Sequence, residues 1–144
     1  MREINTTAEH VRDACSFFNS IPASHSVRIT KGRNFNLKSI SIKKHVPKTD
    51  KYSIYTYINP TSSRKVTILK CDDETCLAKK NSADCIFRKW HNFFDHLRIH
   101  TGERPFTCTH DGCDFAFTQK ANLNKHSELH GGQPRFICEV RDCQ

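Results

Sequence analysis

The chain has 144 residues, a net charge of +8 and eight cysteines. That length holds one or two domains of ordinary size. No segment approaches the roughly 20 apolar residues of a membrane span, and residues 1–20 contain no apolar run of the signal-peptide kind. The charge is uneven: residues 1–66 hold 12 Lys/Arg against 4 Asp/Glu, whereas residues 67–144 hold 11 of each.

At the start of the chain, Thr6-Thr7-Ala8-Glu9 has the form of a capping box. Val11, Ala14, Cys15 and Phe18 then recur at helical spacing, with Pro22 beyond the end. A short helix over residues 7–19 is predicted, carrying Cys15 on its apolar face as a small buried hydrophobe. Residues 27–70 read as strands: 35–42 alternate imperfectly, 52–58 are rich in β-formers and stop at Asn59-Pro60, and 66–69 run into the segment that follows. Residues 43–51 form a basic loop between the first two. Two arrangements suit residues 1–66, a small sheet packed on the helix or strands added to a partner through open edges.

From residue 69 the pattern becomes a repeat. The first unit reads Leu69-x-Cys71-x4-Cys76, then Phe87-x5-Phe93-x2-His96-x3-His100. The second reads Phe106-x-Cys108-x4-Cys113-x3-Phe117-x5-Leu123-x2-His126-x3-His130. A third begins as Phe136-x-Cys138-x4-Cys143, after which one residue remains, so it reads as truncated or vestigial, with truncation favoured because Phe136 and both cysteines remain in place. First-cysteine positions are separated by 37 and then 30 residues. The extra seven fall between Cys76 and Phe87, and are predicted to extend the hairpin-to-helix turn while leaving the helix intact.

Two thiolates and two imidazoles at these spacings suit a tetrahedral Zn²⁺ ion. The cysteines sit on a short hairpin, and histidines four apart share one face of a helix. Cys108, Cys113, His126 and His130 make one ligand set; Cys71, Cys76, His96 and His100 make the other. Cys85 competes for a place in the first set, but it lies two residues before Phe87, where the matching cysteine of the second unit lies four before Phe117. His91 and His110 read as surface residues. Cys138 and Cys143 lack the histidines to close a third set. With six of eight cysteines absorbed by metal-type spacing, a reducing compartment is favoured over a secreted disulfide framework.

The repeat resembles the two-cysteine, two-histidine zinc finger of the Krüppel and transcription factor IIIA type, over residues 69–143 or about half the chain. Residues 1–66 carry no such resemblance. Thr101-Gly102-Glu103-Arg104-Pro105 resembles the linker between tandem DNA-binding fingers; Gly131-Gly132-Gln133-Pro134-Arg135 has its length but lacks its Thr and Glu. The organisation implied is a basic helix-and-strand segment (1–66), a first finger with the insertion (67–100), a linker (101–105), a second finger (106–130), a linker (131–135) and the start of a third finger (136–144). The fold class is α+β, tandem ββα fingers behind a small basic segment. The resemblance implies two structural zinc ions and nuclear nucleic-acid binding in transcription or chromatin regulation.

In such fingers, helix positions −1, 3 and 6 contact successive bases. Counted from the aromatic residue, these are Gln119, Asn122 and Lys125 in the second finger, a trio suited to a triplet resembling 5′-GAA. In the first finger they are Lys89, Asn92 and Asp95, and Asp95 is unfavourable toward most bases. Trp90 and Phe94 lie on that helix outside the finger's core positions; they read either as a protein contact or as packing against the insertion or a neighbouring finger. The neutral charge of residues 67–144 argues against simple DNA binding, because such arrays gain affinity by neutralising phosphates. The rival readings are a zinc-stabilised interaction subunit of a larger chromatin complex, or RNA binding, with Tyr55 and Tyr57 beside Lys51 available for stacking. No catalytic arrangement appears, and four protein ligands per zinc leave no open position, so an enzyme is not expected.

Overall fold

The computed structural model describes residues 3–32, 45–78 and 85–132. They belong to two compact units that divide between Thr101 and Gly102. The expected strand over residues 35–42, the cysteines Cys138 and Cys143, and the second linker beyond Gly132 lie outside the described residues.

In the first unit, β1 (Ile4–Thr7), β2 (Ser26–Lys31), β3 (Tyr52–Ile58), β4 (Lys65–Cys71) and β5 (Ile86–Phe87) form one antiparallel sheet in sequence order. Its longest ladder joins β3 to β4, from Tyr52 opposite Cys71 to Ile58 opposite Lys65. The turn between them is closed by Asn59, whose Oδ1 accepts from the backbone N–H of Thr61 at 2.8 Å and of Ser62 at 3.0 Å. This is the side-chain turn that makes asparagine a strand stop.

Successive strand residues point to opposite faces, and β3 and β4 bury both. Tyr52, Ile54, Leu69 and Cys71 join one core with Cys76, Cys85, Phe93, Phe94 and Leu97. Tyr55, Tyr57 and Ile68 join a second core with Ala8, Val11, Cys15, Phe18, Ile21 and Val27. The first core is covered by α3 (Trp90–Thr101), the second by α1 (Ala8–Val11) and a 3-10 turn (Ser16–Ser20). Each large apolar side chain so buried contributes about 1.5–3 kcal/mol, enough for a real core on each face of the sheet.

The first stretch departs from the predicted helix over residues 7–19. Thr6 and Thr7 pair with Val27 and Ser26 in the sheet, and no capping box forms. Instead, the N–H groups of Ala8 and Glu9 donate to the carbonyls of His25 and Ala23. The helix lasts one turn, and Cys15 is extended before the 3-10 turn begins. β-branched threonines and a partner strand outweigh a weak local helix preference. Of the apolar set expected there, Val11, Cys15 and Phe18 are buried and Ala14 is exposed.

The boundary expected between residues 66 and 67 falls inside β4. The finger-like hairpin β4–β5, with Leu69 opposite Phe87 and Lys70 opposite Ile86, is therefore the edge of a sheet begun by residues 4–58. The seven-residue insertion also lands elsewhere than predicted. Cys76 lies on α2 (Glu74–Leu77) and Phe87 on β5, so the insertion lengthens the connection between the two strands. α3 follows directly, with its register intact.

Phe94 is the largest correction. It is 1% exposed and belongs to the core, with Trp90 half-buried against it at 5.8 Å between rings. The partner that covers α3 is the added sheet and Val46, which an isolated finger would not have. Arg98, also buried, ties the same helix down: it donates to the His45 carbonyl and pairs with Asp95.

In the second unit, β6 (Phe106–Thr107) and β7 (Ala116–Phe117) form a two-stranded hairpin, and α4 (Lys120–His130) follows. Phe106, Phe117 and Leu123 are only half-buried, and no residue of α4 is fully buried. Gly102 and Gly112 take φ values of +70° and +76°, the left-handed region in which glycine is at ease, after α3 and in the turn between Cys108 and Cys113.

Because Phe94 is core, Phe94→Ala should destabilise the zinc-loaded first unit by about 3–5 kcal/mol. Ile99→Ala on the same helix, at a position 72% exposed, should cost under about 0.5 kcal/mol. Urea denaturation of the two variants checks both values.

Candidate metal centres

In the first unit, the end of β4 supplies Cys71, α2 supplies Cys76, and one face of α3 supplies His96 and His100. Their ligand atoms all lie within 4.8 Å of one another. Cys76 Sγ is 3.4 Å from His96 Nε2 and 3.2 Å from His100 Nε2, and the two Nε2 atoms are 3.3 Å apart. In the second unit, Cys108, Cys113, His126 and His130 converge equally closely. There Cys113 Sγ is 3.2 Å from His126 Nε2, Cys108 Sγ is 3.3 Å from His130 Nε2, and the imidazole nitrogens are 3.1 Å apart.

These spacings can be tested against the ion. Tetrahedral Zn²⁺, with Zn–S about 2.3 Å and Zn–N about 2.0–2.1 Å, sets its ligand atoms about 3.3–3.8 Å apart. Both donor sets approach that size, and each is the borderline-soft S₂N₂ combination that zinc accepts. Burial raises the Cys71 thiol above its ordinary range, so the metal must supply the deprotonation, as a coordinating cation does. Desolvation, together with the neighbouring rings of His110 and His126, lowers His130, which favours the neutral imidazole a metal requires.

The two centres differ in their surroundings. Cys71 and Cys76 are buried in the first core, whereas all four ligands of the second set are half-buried or exposed. Phe87 packs on His96 at 4.8 Å, and Phe115 and Phe117 both pack on His126 at 5.1 Å. Cys85 is 2% exposed in the same core but lies outside the convergent set. His91 is exposed as expected. His110 is not an idle turn residue: its ring stacks on His130 at 4.0 Å. Nothing in the spacing alone pointed to that contact.

The residues expected to meet bases are distributed unequally. Gln119, Asn122 and Lys125 are exposed along α4, with Gln119 at its N-cap position. Lys89 and Asn92 are exposed beside and on α3, but Asp95 is half-buried and paired with Arg98. Burial raises the Asp95 carboxyl above its ordinary value, with the Arg98 guanidinium opposing the shift.

Comparison with known proteins agrees with the donor geometry. Transcription factor IIIA of Anaxyrus americanus is 46% identical over 54 residues, 36% of this chain and 16% of that protein. Zinc finger protein 131 of Homo sapiens is 42% identical over 55 residues, 38% of this chain and 8% of that protein. Transcriptional regulator CRZ1 of Cryptococcus neoformans is 34% identical over 91 residues, 60% of this chain and 8% of that protein. The chain contains a two-cysteine, two-histidine zinc-finger segment. It spans at most 16% of the length of these relatives. No family model matches the chain, and no solved structure matches it significantly.

The zinc-finger segment should hold two zinc ions per chain by metal analysis after gel filtration, falling to one in Cys108→Ser and staying at two in Cys85→Ser. A chelator should empty the half-exposed second centre before the buried first one, followed by the loss of each unit's own circular dichroism.

Proposed function

We propose that this chain is the DNA-binding part of a nuclear regulator of transcription or chromatin, and that α4 is the base-reading element. The observation that carries the reading is the state of Gln119, Asn122 and Lys125. They are spaced three apart, so they share one helix face, and all three are exposed, with no side-chain hydrogen bond, ion pair or ring contact among the described residues. Gln and Asn can pair with adenine edges, and Lys with guanine. Support also comes from relatives whose names are those of transcription factors and regulators.

The first finger has a smaller part in this proposal. Lys89 and Asn92 remain available to bases or phosphates, but Asp95 is committed to Arg98. The excess positive charge of residues 1–66 supplies sequence-independent attraction to phosphates. In both centres the metal is structural, since four protein ligands leave no position for a substrate.

A second reading, an interaction subunit of a larger chromatin complex, draws on the neutral charge of residues 67–144 and on Ile4 and Ile58, which are half-exposed on the sheet. It loses Phe94, which the core has taken. Recovery of a partner from nuclear extract, with and without nuclease, separates the two: the DNA reading predicts that the partner is lost on nuclease treatment.

Selection from random duplexes should enrich a short motif containing GAA. Asn122→Ala should then cost about 1–3 kcal/mol and relax preference at the middle base. Binding that enriches no motif and follows only salt concentration would leave phosphate attraction as the entire effect.

A further inference from the structure

The position two residues after the first cysteine touches the second histidine in both units. In the second unit it is His110, stacked on His130. In the first it is Asp73, whose Oδ1 lies 3.4 Å from Nδ1 of His100. Thr75 Oγ1 lies 3.4 Å from the same nitrogen. We propose that Asp73, held in place by Thr75, is a positioning residue that fixes the tautomer and orientation of His100 for metal binding. The proposal rests on the reading of Cys71, Cys76, His96 and His100 as a zinc site.

Nε2 of His100 faces Cys76 Sγ at 3.2 Å and His96 Nε2 at 3.3 Å. The coordinating lone pair therefore belongs on Nε2 and the ring proton on Nδ1. Of the two oxygens near that nitrogen, Thr75 Oγ1 lies within hydrogen-bonding distance at 3.4 Å, and Asp73 Oδ1, also at 3.4 Å, is a charge neighbour. Both oxygens are themselves restrained. Asp73 Oδ1 accepts from the Thr75 N–H at 3.1 Å and from the Thr75 hydroxyl at 2.8 Å, and Lys51 Nζ lies 3.5 Å from Oδ2. Since the Thr75 hydroxyl proton goes to Asp73, its lone pairs are left to face His100. A carboxylate behind a metal-binding imidazole orients the ring and increases its basicity as a ligand.

The second centre lacks this arrangement. No ion pair to His126 or His130 occurs among the described residues, and the group behind His130 is the stacked His110 ring rather than a carboxylate. The unequal surroundings are written in one pair of residues, Asp73 and His110, at matching places in the repeat.

Asp73 also caps α2, which carries Cys76, so the test must separate the two roles. Asp73→Ser keeps a capping oxygen but is too short to reach His100; Asp73→Asn keeps both cap and acceptor but removes the charge. Both variants are made in full-length protein that also carries Cys108→Ser, so that only the first centre loads. Zinc affinity is measured by chelator competition, and the His100 tautomer by imidazole nitrogen chemical shifts. Asp73→Ser should weaken zinc binding about 10–100-fold and populate the other tautomer, with Asp73→Asn between it and the parent. Parental affinity and tautomer in Asp73→Ser would overturn the proposal. So would equal losses in both variants with the tautomer unchanged. No zinc uptake by the Cys108→Ser parent would overturn the ligand set itself, and the proposal with it.

Discussion

The seven-residue ladder between β3 and β4 is the interaction on which the first unit is built. β4 serves two structures at once. Its Leu69 and Cys71 face α3 and the candidate metal centre; its Ile68 faces α1 and the 3-10 turn. A strand buried on both faces cannot shift register by one residue without exchanging its two cores. The placement of Cys71 is thus set by side chains 44 or more residues upstream, among them Ala8, Phe18 and Val27. The polar residues at this end of the strand reinforce the link. Asp72 follows Cys71 directly, accepts from Ser53, and lies 3.5 Å from Lys31 and 3.9 Å from the buried Lys70.

The two units reach a convergent Cys₂His₂ set by different physical routes. The second buries almost nothing completely, so its folded state depends on the ion it can hold, as expected for a hairpin and helix of this size. The first surrounds the same kind of set with Tyr52, Phe93, Phe94 and Leu97, an apolar core that the second lacks. Ligand geometry is nearly the same in both. What differs is the energy that holds the ligands in place when no ion is present.

That difference bears on function through the helices. Gln119, Asn122 and Lys125, the proposed contact positions, stay exposed because so little packs on α4. α3 has been absorbed: Phe94 and Arg98 are buried, and Asp95 is paired. The helix is held by the sheet and by the His45 carbonyl, and of its proposed contact residues only Lys89 and Asn92 stay exposed. In the proposed function, binding specificity accordingly rests on the second unit, while the first contributes position and charge.

The metal-type repeat was legible in the chain itself, because ligand spacing is a local property: histidines four apart on a helix and cysteines at a hairpin turn converge whatever surrounds them. The strand at Tyr52–Ile58 and the burial of Cys15 were legible for the same reason, through local composition and periodicity. Other features were decided only by the tertiary structure. The capping-box signal at Thr6 to Glu9 gave way to pairing with β2, a contact about 20 residues away in sequence. Phe94 could not be assigned from finger spacing, because the core it joins includes Val46, Tyr52 and Ile54, outside the repeat. Asp73 and His110 gained partners through the folding back of a helix whose second histidine lies 27 and 20 residues further on. Local geometry determines which atoms can be ligands; long-range packing determines what stands behind them.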